Sequence, residues 1–277
     1  MDSYLKYLRT FLLAVSFFGV PAIAHADDPD VTGCESSNDP DKDIAFCSNV
    51  IKSGKFAGSH LAWAYFNRGD AHYQKGDLTT ALSDFDKAIE LKPEYQHAFR
   101  ERGDLYYDMG KEAEALADYN EAIRLDPEDP IALSSRGWLY QIQGKPDLAM
   151  QDYNAAVAAE PENARARNNR CWAYLGLGKL EEAAADCDLA LVTDPQNAYS
   201  LDSRAWVYLR AGDYASAETM FHRAIGIDEK MGSSFYGLGV IEQHRGNQTE
   251  AKKDFAAAKS AMAGIEELLA KQHVWPP

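Results

Sequence analysis

Asp39, Asp41 and Asp43 stand two residues apart ahead of an apolar stretch, the spacing at which carboxylates enter a calcium loop. Ile44 occupies the place of the turn glycine and Val50 that of the closing bidentate glutamate, so the triplet reads as a capped helix start. His60, His72, His97, His222, His244 and His273 form no i, i+4 pair on one helix and have no CxxC nearby, so no metal site is assigned. H-E-x-x-H, G-x-S-x-G and the phosphate loop G-x4-G-K-[ST] are absent, and Gly237 and Gly239 lie in a helical pattern instead of following a strand. The many carboxylates leave room for an acid–base pair assembled in space. That makes an enzyme the less favoured reading, and no catalytic residue or cofactor is assigned.

The chemistry of the four cysteines depends on compartment. Lys6 and Arg9 precede the apolar run Phe11 to Val20, Pro21 breaks it, and Ala24-His25-Ala26 offers a small-residue cleavage site. Residues 1–26 therefore read as a secretory signal, with the mature chain starting at Asp27 in the periplasm or outside the cell. An uncleaved anchor is disfavoured because ten apolar residues are too few to span comfortably and Asp27, Asp28 and Asp30 follow close behind. Those aspartates also separate the lipobox-like Val31-Thr32-Gly33-Cys34 from the apolar run. In an oxidising compartment four cysteines usually pair, three connectivities are open, and spacing favours Cys34 with Cys47 and Cys171 with Cys187.

The 277 residues carry a net charge of −15, with 46% hydrophobic and 26% charged side chains, a globular composition. Removing Asp2, Lys6 and Arg9 with the signal leaves 26 basic and 42 acidic groups, net −16. Such a chain repels phosphate backbones and has no run of Lys/Arg to offset this, which excludes nucleic acid as a partner. Mean hydropathy is −0.42, and no membrane span remains after signal cleavage.

These residues are positioned by a repeat. A period of 34 residues runs from Ala62 to Ile265 without insertion or deletion, giving six units. One column is glycine throughout (76, 110, 144, 178, 212, 246), and two are alanine (81, 115, 149, 183, 217, 251 and 88, 122, 156, 190, 224, 258). Each unit reads as two amphipathic helices, such as Ala62 to Lys75 and Leu78 to Leu91, closed by Pro93, Pro127, Pro161 or Pro195 in the first four units. Gly69, Gly103, Gly137, Cys171, Ala205 and Gly239 form a close-approach column, while Phe85, Tyr119, Tyr153, Cys187, Phe221 and Phe255 form a bulky one. Cys171 and Cys187 thus lie at matching heights across one hairpin, which supports their pairing over two reduced thiols.

These columns resemble the tetratricopeptide repeat, whose W-x2-L-G-x2-Y, A-x3-F and terminal Pro pattern the six units match with limited substitutions. With its cysteine-bearing lead and short tail, the chain is similar to secreted tetratricopeptide proteins of alphaproteobacteria. The expected fold is an all-α right-handed superhelical solenoid of six helix-turn-helix repeats at 62–95, 96–129, 130–163, 164–197, 198–231 and 232–265. A disulfide-tied lead segment (27–61), with a lone helix from Asp43 to Gly54, precedes them. A capping helix and tail (266–277) follow, the helix itself running from Ile265 to His273.

Arg68, Arg102, Arg136, Arg170 and Arg204 depart from the family pattern, which usually has Leu there, and Asp84, Asp118, Asp152, Asp186 and Asp254 are candidate partners. Pairing within or between units is possible. Met220 and Leu238 turn apolar together only if units pair with their successors, which favours Asp84–Arg102, Asp118–Arg136, Asp152–Arg170 and Asp186–Arg204.

In the family, first helices line a concave face, and the resemblance implies ligand contacts from repeat positions two, five, nine, twelve and thirteen. Position nine reads Asp70, Asp104, Trp138, Trp172, Trp206 and Val240, with Arg165, Asn168, Tyr199, Asp202 and Arg210 nearby. Tryptophan is a preferred hot-spot anchor, although packing of the three indoles into the core is the alternative. Trp63, Phe66, Tyr73 and Tyr107 with Asp70 and Asp104 give the first two units an aromatic and acidic stretch. Such a groove suits an extended segment, basic at one end and apolar in the middle. The Lys and Asn of the family's carboxylate clamp are not recognisable. The sequence thus points to a non-catalytic scaffold binding a protein or peptide, or else to a binder of a small molecule or cell-wall fragment.

Overall fold

The computed structural model describes residues 28–36 and 39–275, so the proposed signal at 1–26 lies outside the described residues. Helices account for all regular structure among those residues. They form two compact units, one ending at Pro127 and the other beginning at Glu128.

The N-terminal unit begins with α1 (Pro29–Ser36) and α2 (Pro40–Lys52), a short hairpin where the sequence suggested one helix. Asp39 caps α2, its carboxylate accepting the Asp41 amide at 3.1 Å, and Cys34–Cys47 ties the two helices together. Val31, Val50 and both half-cystines are buried against Ala64, flanked by Phe46, Phe56 and Trp63. Two repeat hairpins follow: α3 (Ala62–Gln74) with α4 (Leu78–Leu91), and α5 (Gln96–Asp108) with α6 (Glu112–Leu125).

The C-terminal unit contains four more hairpins, α7 (Pro130–Ile142) with α8 (Pro146–Ala159), α9 (Ala164–Gly176) with α10 (Leu180–Thr193), α11 (Ala198–Arg210) with α12 (Tyr214–Ile227), and α13 (Gly232–His244) with α14 (Gln248–Ala261). A seven-residue helix, α15 (Ile265–Lys271), follows. Every first helix starts 34 residues after the previous one, because capping and turn signals recur at that interval. The turn glycines all have positive φ, between 71° and 84°, a conformation costly for any side chain with a Cβ. Asp77, Asn163, Asn197 and Asp213 cap helices by accepting an amide three residues on.

Within each hairpin, residues sixteen apart meet. A Cβ on Gly137 would lie 2.8 Å from the Tyr153 ring, so the small column is needed for the bulky one to be buried. In the fourth repeat a disulfide, Cys171–Cys187, takes the place of that contact.

The arginine column obeys the same sixteen-residue rule, which corrects the ladder inferred from sequence. Asp84–Arg102, Asp118–Arg136, Asp152–Arg170 and Asp186–Arg204 are not the pairs that form. Instead Arg68, Arg102, Arg136 and Arg170 each grip the aspartate of their own hairpin, Asp84, Asp118, Asp152 and Asp186, through two bonds of 2.6–2.8 Å. The aspartate lies at the arginine's height across the antiparallel turn. Met220 removes that partner from Arg204, which turns to Asp188 of the preceding hairpin at 2.7 Å. Arg102 and Arg170 also reach the preceding hairpin, at Asp86 and Asn154, two residues beyond the carboxylates the sequence reading chose. Hydrogen bonds donated to the paired carboxylates hold Arg68, Arg136 and Arg170 above the usual guanidinium range.

Candidate functional site

The first helices of the N-terminal unit carry the aromatic and acidic stretch. Phe66 packs 5.9 Å from Phe85 and 5.2 Å from Tyr95, whose phenol burial pushes up to about 12. Trp63 meets the edge of Phe56 at 6.0 Å. Its carboxylates are engaged locally: Asp70 accepts from Gln74 at 2.7 Å, Asp108 from the Tyr73 hydroxyl at 2.5 Å, and buried Asp104 from the Tyr119 hydroxyl at 2.7 Å. Burial first, and the Asp104 carboxylate second, push the Tyr119 phenol well above its ordinary range. Tyr107 is half-buried on α5. An open cleft of about 590 Å³ between α3 and α4 is lined by charges already paired, Arg68 with Asp84 and Lys87 with Glu90.

The tryptophan column of the C-terminal unit is not an open platform. Trp172 is 5% exposed and Trp206 fully buried, while Trp138 is half-buried against the same apolar cluster. What covers Trp172 and Trp206 is the end of the chain. The Trp172 indole donates to Gln272 Oε1 at 2.6 Å, the Trp206 ring lies 6.3 Å from Trp275, and Arg210 Nη1 donates to the carbonyls of His273 and Val274 at 3.1 and 3.0 Å. Burial lowers the pKa of Arg210. A Cβ on Gly176 would come within 2.5 Å of the Gln272 carbonyl, so the tail backbone lies directly on α9.

Beneath the tail, Trp206 donates to Ser233 Oγ at 2.7 Å, Ser233 to Asp202 at 2.8 Å, and Ser234 to the other Asp202 oxygen at 2.5 Å. Burial raises the Asp202 carboxyl to about 7 against the pull of both serine hydroxyls. Asp202 is thus a buried acceptor and not a groove charge. Asn168 is 7% exposed with its Oδ1 unbonded, whereas Arg165 and Tyr199 are half-buried on the same two first helices, α9 and α11.

Family matches cover most of the repeat region. A tetratricopeptide repeat family matches residues 62–95, a TPR repeat family matches 103–144, and a further tetratricopeptide repeat family matches 134–198 and 203–264. The chain belongs to the tetratricopeptide repeat family. A tetratricopeptide repeat protein from Parabacteroides merdae superposes with a TM-score of 0.65 at 22% identity, over 84% of this chain and 92% of that one. A chain of the APC/C hetero-tetramer gives 0.71 at 13%, over 83% of this chain and 45% of that one. The type IV pilus biogenesis factor PilW gives 0.63 at 18%, over 76% and 98%. At these identities the likeness establishes the fold alone. None of the curated proteins compared with the chain matches it.

For this tetratricopeptide chain, sequence reasoning placed Trp172, Trp206 and Arg210 on one face. It missed Gln272, Val274 and Trp275, which occupy that face. The signal was present: Ile265, Leu268, Leu269, Val274 and the fifth tryptophan, Trp275, carry an apolar pattern past the last repeat. Among the described residues no group of three or more His, Cys, Asp or Glu is placed to hold a metal ion, and all four cysteines are in disulfides. No described helix is long and apolar enough to cross a membrane.

Proposed function

We propose that the chain is a non-catalytic, periplasmic interaction scaffold that holds a segment of another protein on the face built from its first helices. One observation carries the reading: this face already holds polypeptide. Arg210 reads two backbone carbonyls and the Trp172 indole reads a side-chain amide, contacts that any peptide of suitable sequence can supply. Membership in a family of repeat scaffolds, without a recognisable catalytic motif, supports the absence of catalysis. Export is supported by the N-terminal sequence and by two disulfides, which persist in oxidising compartments.

Two measurements test this. The full chain, expressed in a Gram-negative host and fractionated, should yield a periplasmic species whose intact mass begins at Asp27. A random peptide library displayed on phage should then be enriched by the purified mature chain. Retention of the uncleaved chain in the cytoplasm would end the periplasmic reading, and no enrichment by a folded chain, even with its C-terminal segment loosened by substitution, would end the peptide-binding one.

A further inference from the structure

The C-terminal segment does more than end the solenoid. A capping helix needs only to cover the apolar face of the last repeat. Here residues 265–275 reach back to the fourth repeat, with Gln272 on Trp172 and its carbonyl against Gly176. Val274 is fully buried and Gln272 is 3% exposed. The path is set by a sharp turn. His273 sits at φ 57°, the left-handed region that non-glycine residues seldom adopt, and is the sole such non-glycine residue among those described. The fit is also incomplete: the Gln272 Nε2 donor is buried without a hydrogen-bond partner, as is Asn168 Oδ1, one turn before Trp172 on α9.

We infer that this tail is a resident, displaceable occupant of the groove of repeats four to six, and that the groove's external ligand is a partner segment of the same chemistry. The inference rests on the peptide-binding reading above and names the segment. Such a segment presents two adjacent apolar residues on a short helix, then an uncharged amide side chain, then an apolar–aromatic pair whose preceding carbonyls face Arg210. Charge excludes most other peptides. The Gln272 side chain sits buried on Trp172, Arg210 spends its bonds on backbone carbonyls, and Asp202 is engaged by Ser233 and Ser234, so a ligand with a charged side chain at the Gln272 position would be desolvated without compensation. The docked tail scales the apparent affinity down to the fraction of molecules in which it is released.

A fluorescent synthetic peptide of residues 262–277 serves as the probe. Anisotropy titrations compare the wild-type full chain with the full-length double variant Val274→Asp/Trp275→Ala, which loosens the resident tail. The loosened chain should bind the peptide at least about tenfold more tightly than wild type, and adding Arg210→Ala should remove the gain. Equal affinity of the wild-type and loosened chains, both folded by circular dichroism, would overturn the proposal.

Should the variant not fold, the wild type alone decides. Unlabelled peptide added to the 15N-labelled chain should speed hydrogen exchange of the Gln272 and Val274 amides while those of α9 and α11 stay protected. Unchanged tail exchange at saturating peptide would reject displacement. A library that selects peptides equally with wild-type and loosened chains would sink this proposal alone, whereas peptides failing with both would sink the peptide-binding reading itself.

Discussion

Trp172 donates its indole N–H to Gln272 Oε1 at 2.6 Å across 100 residues of sequence, joining the fourth repeat to the end of the chain. Both groups are buried, so neither has water as a substitute. Gln272→Ala should therefore weaken tail docking by about 1–3 kcal/mol, the cost of leaving a buried donor unpaired. Trp172 should respond with a red-shifted emission at temperatures where the hairpins are intact. Gly176→Ala, which drives a methyl into the Gln272 carbonyl, should reproduce the shift without removing any hydrogen bond.

The Cys171–Cys187 disulfide occupies the positions at which other hairpins pack glycine against an aromatic ring. On the chain-entropy account its reduction should cost the C-terminal unit about 3 kcal/mol, read as a lower urea midpoint with reductant. Replacing both cysteines by alanine adds a cavity and should cost more. Cys171→Gly with Cys187→Tyr restores the pair used at Gly137 and Tyr153, and should recover part of the loss. Equal destabilisation by the two double variants would show that the disulfide alone matters there.

The arginine column makes a sharper prediction. Arg170 and Asp186 share two hydrogen bonds, with Asp186 about 5% exposed at its side chain, so a double-mutant cycle between them should give a coupling of about 1–3 kcal/mol. The cycle between Asp152 and Arg170 should give less than about 0.5 kcal/mol. Either mutation in that cycle still destabilises alone, by taking the Asp152 bonds from Arg136 or the Arg170 bonds from Asp186, so only the coupling distinguishes the two ladders.

The repeat boundaries were legible because capping residues, turn glycines and small–large columns all recur at 34 residues, and local signals that agree leave few alternatives. The ladder was misread for a physical reason. Co-variation of Met220 with Leu238 suggested pairing between units, but an antiparallel hairpin places residues sixteen apart at one height, as the cysteines already indicated. Arg204 shows why the pattern misled: without Asp at position 220 it takes Asp188 instead of losing its carboxylate. The tail was beyond periodic reasoning altogether. Its contacts with Trp172 and Arg210 come from a single non-repeating segment, and no column of the repeat encodes them.

Asp202 links stability to pH. Its folded-state pKa of about 7 lies above the ordinary 3.8 because burial outweighs the two serine bonds. Between those values the native state holds a proton that the unfolded state has released, so stability falls as pH rises from about 4 to 7 and is level above. The full excursion is on the order of 4 kcal/mol. Asp202→Asn keeps one carbonyl acceptor for the serine hydroxyls and carries no charge. Urea denaturation from pH 4 to 8 should show the variant gaining on the wild type as pH rises, and parallel curves would mean that Asp202 does not carry the slope.

Tail and turn meet at His273. The Val274 amide donates to the Leu269 carbonyl at 2.9 Å and the His273 amide to Ala270 at 3.0 Å, the paired bonds that close a helix through a left-handed residue. Glycine is the usual occupant of that position, because the left-handed conformation crowds a Cβ against the carbonyl that follows it. The imidazole is exposed, so removing it sacrifices little packing. His273→Gly should thus tighten the docked tail by about 1 kcal/mol, the relief of backbone strain net of the extra freedom glycine has when the tail is released. Slower hydrogen exchange at Val274, with hairpin amides unaffected, is the expected readout. Faster exchange would mean that the unfolded-state entropy of glycine outweighs the strain His273 stores.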